Sequence, residues 1–269
     1  MPSLPFVITW AVVCTLGAVV PAAAEPPEDV DRLLACARGP DDLGSYRCAS
    51  TLEALSKQDL ALAGDPRVHR ALAERMHRDV ADFKAWQQWL STRTQDFLER
   101  ESPEYEDGWS TLQLADTIRV HLLPHAGPDT KSVLFSALLA AAVMNDEMER
   151  GLAKYGRPAL LATLGQVRSD DGDRRRIAYS VLGWMLDDEV GGAHGSPLTS
   201  ADRELAERAI GTGLQEADPD LRLEAIRAAQ RGRVAGALPM LRVLVVTMPD
   251  AEPYRLRRAA IDAVVSLTR

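Results

Sequence analysis

Aromatic residues are scarce in this 269-residue chain, with five Trp, five Tyr and four Phe. Cysteine is scarcer, at three, and histidine stands at five. A sandwich or barrel draws its strands from β-branched and aromatic residues, so this shortage points away from sheet. Alanine and leucine dominate instead and favour helix. Positive charge is also short, and the formal net charge of −8 excludes a general nucleic-acid binder, which needs basic surface. With 46% apolar and 26% charged residues, the composition is that of an ordered chain. The deficit is local. Glu25 to Arg150 holds 14 basic and 23 acidic residues, whereas the rest holds 17 and 16. The acidic half either draws a basic partner or simply keeps the surface solvated.

Charged side chains are absent altogether from Met1 to Ala24. Phe6 to Val20 is apolar, Pro21 breaks the run, and Ala22-Ala23-Ala24 precedes Glu25. This is the small-residue cleavage pattern of a secretory signal peptide, although no early Lys or Arg supports it. An uncleaved anchor is the alternative. No later run is long enough to span a bilayer. The expectation is therefore an exported chain, periplasmic or extracellular, with no membrane span after cleavage. Cys14 would leave with the signal. Cys36 and Cys48, alone in an oxidising compartment, are expected to form a disulfide contributing about 2–3 kcal/mol. Residues 1–24 are thus read as signal, 25–150 as an N-terminal helical region with this staple and degenerate repeats, and 151–269 as regular repeats.

Catalytic motifs are missing too. There is no H-E-x-x-H, G-x-S-x-G, glycine-rich phosphate loop or cysteine–histidine signature. His121 and His125 are four apart, but Pro124 spoils a helical metal pair. The remaining histidines, His69, His77 and His194, are expected to be structural or solvated. No metal or cofactor is expected.

What the chain does contain is a recurring register. In DPDLRLEAIRAA (218–229), Arg222 projects from the apolar face of Leu221, Ala225, Ile226 and Ala229. Positions three, four and seven after Arg175 are Ala178, Tyr179 and Leu182. After Arg257 they are Ala260, Ile261 and Val264. Asp218 and Asp171 stand four before their arginines, whereas Arg257 has Pro253 there. His69 in DPRVHRALAERM (65–76) and Lys131 in GPDTKSVLFSAL (127–138) echo the frame. Pro66, Pro128 and Pro219 all lie three before the polar position, which suits a first helical turn. RPALLATLGQV, ADRELAERAIGTGL and VAGALPMLRVLV form a second helix upstream of each strong register. Such a hairpin buries its apolar face only by stacking on copies of itself.

DPDLRLEA (218–225) and DDGDRRRIA (170–178) match the D-P-x-V-R-x-x-A-like opening of the second HEAT helix. YRLRRAAIDAVVSL (254–267) keeps the arginine without the aspartate. From about Tyr155 to Arg269 the chain resembles the HEAT-repeat family, and from Ala49 to Met148 the likeness is fainter. The resemblance implies an all-α fold, a right-handed α-solenoid of stacked antiparallel helix pairs, with an unknown protein or peptide as partner. It also implies that Arg175 and Arg222 lie inward and meet Asp171 and Asp218 of the same or the next unit along the stack; the alternative is that these arginines lie at a helix edge in water. Breaking a buried pair of this kind costs about 3–5 kcal/mol. Arg222→Ala is accordingly expected to destabilise more than Arg231→Ala.

The first half carries a long amphipathic pattern from Val80 to Arg100 and an aromatic group, Trp86, Trp89, Tyr105 and Trp109. Trp89 points away from the apolar face, so it packs under another element or meets a ligand. The loop DEVGGAHGSPLTS (188–200) reads as an insertion, with Ser200 or Asp202 capping the next helix. The leading functional expectation is an exported, non-enzymatic scaffold binding a protein or peptide on its concave face. A small-ligand binder or hydrolase using an aromatic N-terminal pocket is the alternative. HEAT-like DNA repair glycosylases share this architecture, but the acidic balance and the export pattern oppose that role.

Overall fold

The proline and aspartate signals each mark a helix start. A computed structural model describes residues 28–39, 48–53, 63–91, 107–142, 146–194, 196–248 and 254–269. The leader at 1–24 lies outside the described residues. Helices α1 (Glu28–Arg38), α2 (Pro66–Ser91), α3 (Asp107–Thr117), α4 (Pro128–Ala141) and α5 (Asp146–Ala153) build the first half. Helices α6 (Arg157–Gln166), α7 (Gly172–Leu186), α8 (Ser200–Gly213), α9 (Pro219–Arg231), α10 (Leu238–Thr247) and α11 (Tyr254–Leu267) build the second. Among the described residues the only β pairing is one isolated bridge, Gly156 with Ser196.

Local chemistry explains the boundaries. Pro66, Pro128 and Pro219 each open a helix, where a missing N–H costs nothing. Asp171 and Asp218 are N-caps, and each carboxylate accepts backbone N–H bonds from the residues two and three ahead. Asp65 accepts from the Arg67 N–H in the same way, 2.8 Å away. Helix α8 departs from expectation. Its cap is Thr199, not Ser200 or Asp202, and Asp202 returns a bond to the Thr199 N–H. That reciprocal capping box satisfies two donors at once.

The register triplet is buried on four helices, whereas on α11 only Ala260 of Ala260, Ile261 and Val264 is. Leu72, Ala73 and Met76 on α2, Leu134, Phe135 and Leu138 on α4, and the matching triplets on α7 and α9 are all buried. The second helices stack in order, α7 on α9 and α9 on α11. Each packs on its own first helix, α6, α8 or α10, across a short turn. Upstream, α2 packs on α4, and α4 on α6 and α7. Helix α5 lies beside α4 and α7. The fold is an all-α solenoid. Stacking is close where small residues permit it: a Cβ on Gly183 would stand 2.7 Å from the Ala228 Cα.

One expectation is corrected. The pattern from Val80 is not a separate helix, because Val68, Leu72, Met76 and Val80 continue one spacing without a breaker, and α2 runs through from Pro66. The 188–200 segment is tied to the α5–α6 turn. The His194 N–H donates to the Lys154 carbonyl at 2.7 Å, and the Arg157 N–H donates to the Ser196 carbonyl at 3.1 Å. Gly156, at φ +62°, leaves no room for a Cβ beside Ser196.

Cys36 and Cys48 are joined by a disulfide, Cα atoms 5.6 Å apart, linking α1 to the helical residues 48–53. The loop between them, 40–47, lies outside the described residues.

Candidate functional site

Side chains on a helix lean toward its N-terminus, so a long polar residue in the second turn reaches back over the preceding loop. That is what the register cations do. An Arg175 guanidinium N–H donates to the Ser169 carbonyl at 2.6 Å. Arg222 Nε–H donates to the Glu216 carbonyl at 2.9 Å, and its Nη2 to that of Ala217 at 3.2 Å. Arg257 donates to the Met248 carbonyl at 2.6 Å. The His69 ring follows suit, with Nε2 2.7 Å from the Ala63 carbonyl and Nδ1 3.0 Å from Thr130 Oγ1. In His69, Arg175 and Arg222 the acceptor lies six residues back. The register position therefore ties each second helix to the turn before it, where carbonyls without helical partners collect.

The expected pairing of Arg175 and Arg222 with Asp171 and Asp218 is corrected by these bonds. Both carboxylates sit at the N-caps, engaged with backbone N–H groups. Asp171 also receives Lys84 from α2 at 2.9 Å. Burial alone would raise the Asp171 carboxyl, but the Lys84 bond and the cap bonds hold it below the usual range. Burial likewise works against the Lys84 ammonium, and Asp171 with Asp173 outweighs it, raising Lys84. Arg175, Arg222 and Arg257 are half-buried, with their heads on carbonyls.

The acidic partner that the register lacked is Glu216. Its Oε1 accepts the Tyr179 hydroxyl at 2.9 Å and lies 3.4 Å from Arg175 Nε. Its carbonyl meanwhile accepts Arg222. One residue thus joins two successive repeats. Burial, then the adjoining carboxylate, pushes the Tyr179 phenol well up. Nothing in a single frame marks Glu216, because it lies outside the helix that carries the register.

Sequence spacing also missed a second cluster. Arg231 Cζ sits 4.2 Å over the Trp184 ring and Arg150 Cζ 5.4 Å from it. Arg231 donates to the Ser180 carbonyl at 3.3 Å, and the Ser180 hydroxyl bonds the buried Glu149 carboxylate. Arg231 is therefore not an inert comparison for Arg222. Arg75 on α2 is buried as well, bonding the Gly39 carbonyl at 2.7 Å and Asp79 at 2.9 Å. The Arg75–Asp79 pair was visible in the sequence as a four-residue spacing of opposite charges.

The N-terminal ends of the second helices open on a shared groove of about 570 Å³. Leu221 and Leu223 give it apolar surface, and Asp171, Asp173, Asp218, Asp220 and Glu224 face Arg176, Arg227 and Arg255. Arg255 pairs with Asp220 across α9 and α11, and Arg227 Nη1 lies 3.4 Å from Glu224.

The aromatic candidates are not decided by this geometry. Trp86 and Trp89 ride on α2 and Trp109 on α3, but their side chains, and all of Tyr105, lie outside the described residues. His121 falls in a π-helical turn, Ile118–Leu122, and His125 in the turn beyond it. Among the described residues no group of three or more His, Cys, Asp or Glu could hold a metal. No described helix is long and apolar enough to cross a membrane.

No family model and no curated protein matches the chain. Among solved structures it is similar to an engineered protein at 12% identity, covering 89% of this chain and 96% of that one, with a TM-score of 0.38. It is also similar to a designed armadillo repeat protein in complex with peptide (KR)4, at 14% identity over 87% and 99%, with a TM-score of 0.35. The assignment as a helical-repeat protein rests on the register and stacking described above.

Proposed function

We propose that this chain is an exported, HEAT-like scaffold without catalytic activity, whose second-helix groove holds an extended segment of a partner protein. The groove across α7, α9 and α11 carries the reading, because it joins successive repeats into one continuous surface. Its carboxylates pair with the guanidiniums and with Lys84, so the groove favours a segment that carries charges of both signs. Export is supported by the charge-free leader ending in three alanines and by the joined, buried Cys48. Residues 1–24 would then be removed, leaving an N-terminal region to Arg150 and the regular repeats beyond.

The test is affinity capture from the extracytoplasmic fraction, comparing the wild type with Asp173→Lys/Asp220→Lys. Both positions are exposed, so the double variant should keep its helicity, with a lowered melting temperature because Lys84 and Arg255 lose their partners. Loss of a specifically captured protein in the variant supports the groove. Equal capture by both forms refutes it.

A further inference from the structure

Three cations meet in a cleft that shares no lining residue with the second-helix groove. It lies between α3 and α5 and measures about 430 Å³, within the roughly 300–1,000 Å³ of small-molecule sites. Arg119 lines it from the π-helical turn after α3, Arg150 from α5, and Lys154 from just beyond the end of α5. Two carboxylates share the lining, and neither neutralises α5. Asp116 is engaged with Arg119. Glu147 stands in the first turn of α5, about 10 Å along the axis from Lys154. Among the described residues no carboxylate pairs with Arg150 or Lys154; the charged head of Arg150 leans instead toward the Trp184 ring.

Arg119 is held in place from four directions. The Leu123 N–H donates to the Ile118 carbonyl at 3.0 Å, five residues back, which makes the turn π-helical. Such turns are rare and concentrate at functional sites. The Tyr155 hydroxyl donates to the Arg119 carbonyl at 2.7 Å and secures the turn against the chain beyond α5. Gly151 makes room for the arginine stem, since a Cβ there would stand 3.2 Å from Arg119 Cδ. Asp116 Oδ1 accepts Arg119 Nε–H at 3.1 Å and a second bond from Nη2. Nη1 makes no bond among the described residues. A guanidinium fixed in this way loses little entropy when it meets a ligand. We propose that the cleft binds a small oxyanion ligand, one carrying a phosphate or paired carboxylates, between Arg119, Arg150 and Lys154. Guanidinium and ammonium donors both form charge-assisted bonds to such oxygens.

Isothermal titration calorimetry on the full chain at low salt tests the assignment, with inorganic phosphate and succinate as probes from about 0.01 to 10 mM. Saturable one-to-one binding of at least one probe is expected, and the tighter of the two tells phosphate from carboxylate chemistry. Lys154→Gln and Arg150→Gln should each weaken binding by at least about tenfold, with circular dichroism unchanged. Arg242→Gln, at an exposed position on α10, should leave it within about twofold. Absence of saturable binding by both probes overturns the proposal. So does binding that survives Lys154→Gln or Arg150→Gln unchanged. Binding that weakens as much in Arg242→Gln reports net charge alone and overturns it too.

Discussion

Arg222→Met separates the two things a register arginine does. Methionine keeps most of the stem against Leu221, Ala225 and Ile226 but loses the head. The head makes hydrogen bonds of 2.9 and 3.2 Å to the carbonyls of Glu216 and Ala217. A buried charge-assisted bond contributes about 1.5–3 kcal/mol. Arg222 is half-buried, and the carbonyls it leaves turn partly to water, so both bonds together contribute about 2 kcal/mol. For a domain of this size that lowers the melting temperature by about 4–8 °C. Arg208→Met, on the exposed side of α8, should change it by less than about 2 °C. Arg222→Lys should fall between, because an ammonium lacks the fork that spans two carbonyls. Differential scanning fluorimetry, backed by urea denaturation, measures all three. If Arg222→Met melts with the wild type, capping of the preceding turn contributes nothing and the register is only a packing pattern.

The Glu216 node makes a second prediction. Glu216→Ala strands the buried Tyr179 hydroxyl and should cost about 1–3 kcal/mol, while Glu216→Gln, which still accepts that bond, costs less. Spectrophotometric titration should show Tyr179 ionising at lower pH in Glu216→Ala, since its neighbouring negative charge is gone. Burial holds the His69 imidazole below its ordinary value of 6.5, so the unfolded chain binds the proton first. Stability from His69 is therefore complete above about pH 6.5 and declines as pH falls toward its folded value, and His69→Gln should flatten the melting-temperature profile there. Arg75→Met takes one guanidinium from the half-buried Asp79 and the donor from the Gly39 carbonyl, and a loss of about 1–3 kcal/mol in chemical denaturation is expected. A loss below about 1 kcal/mol would show that water replaces the pair.

The repeat itself was readable in the chain because helical periodicity is local. The apolar triplets after His69, Lys131, Arg175 and Arg222 are buried as their spacing requires, and the prolines and aspartates mark true helix starts. Partners across a turn or between repeats were not readable. The spacing of Asp218 and Arg222 suggests a bond that is not formed, since the aspartate faces the helix N–H groups while the arginine reaches back over the loop. Glu216, Lys84 and the Trp184 cluster come from separate segments, and only the stacking of α2, α7 and α9 brings them together. Ile226 and Ile261 occupy the same register, yet one is sealed and the other open. Sequence determined which residues favour an apolar neighbour. The tertiary structure decided which of them have one, because that depends on what stacks beside a helix and not on the helix alone.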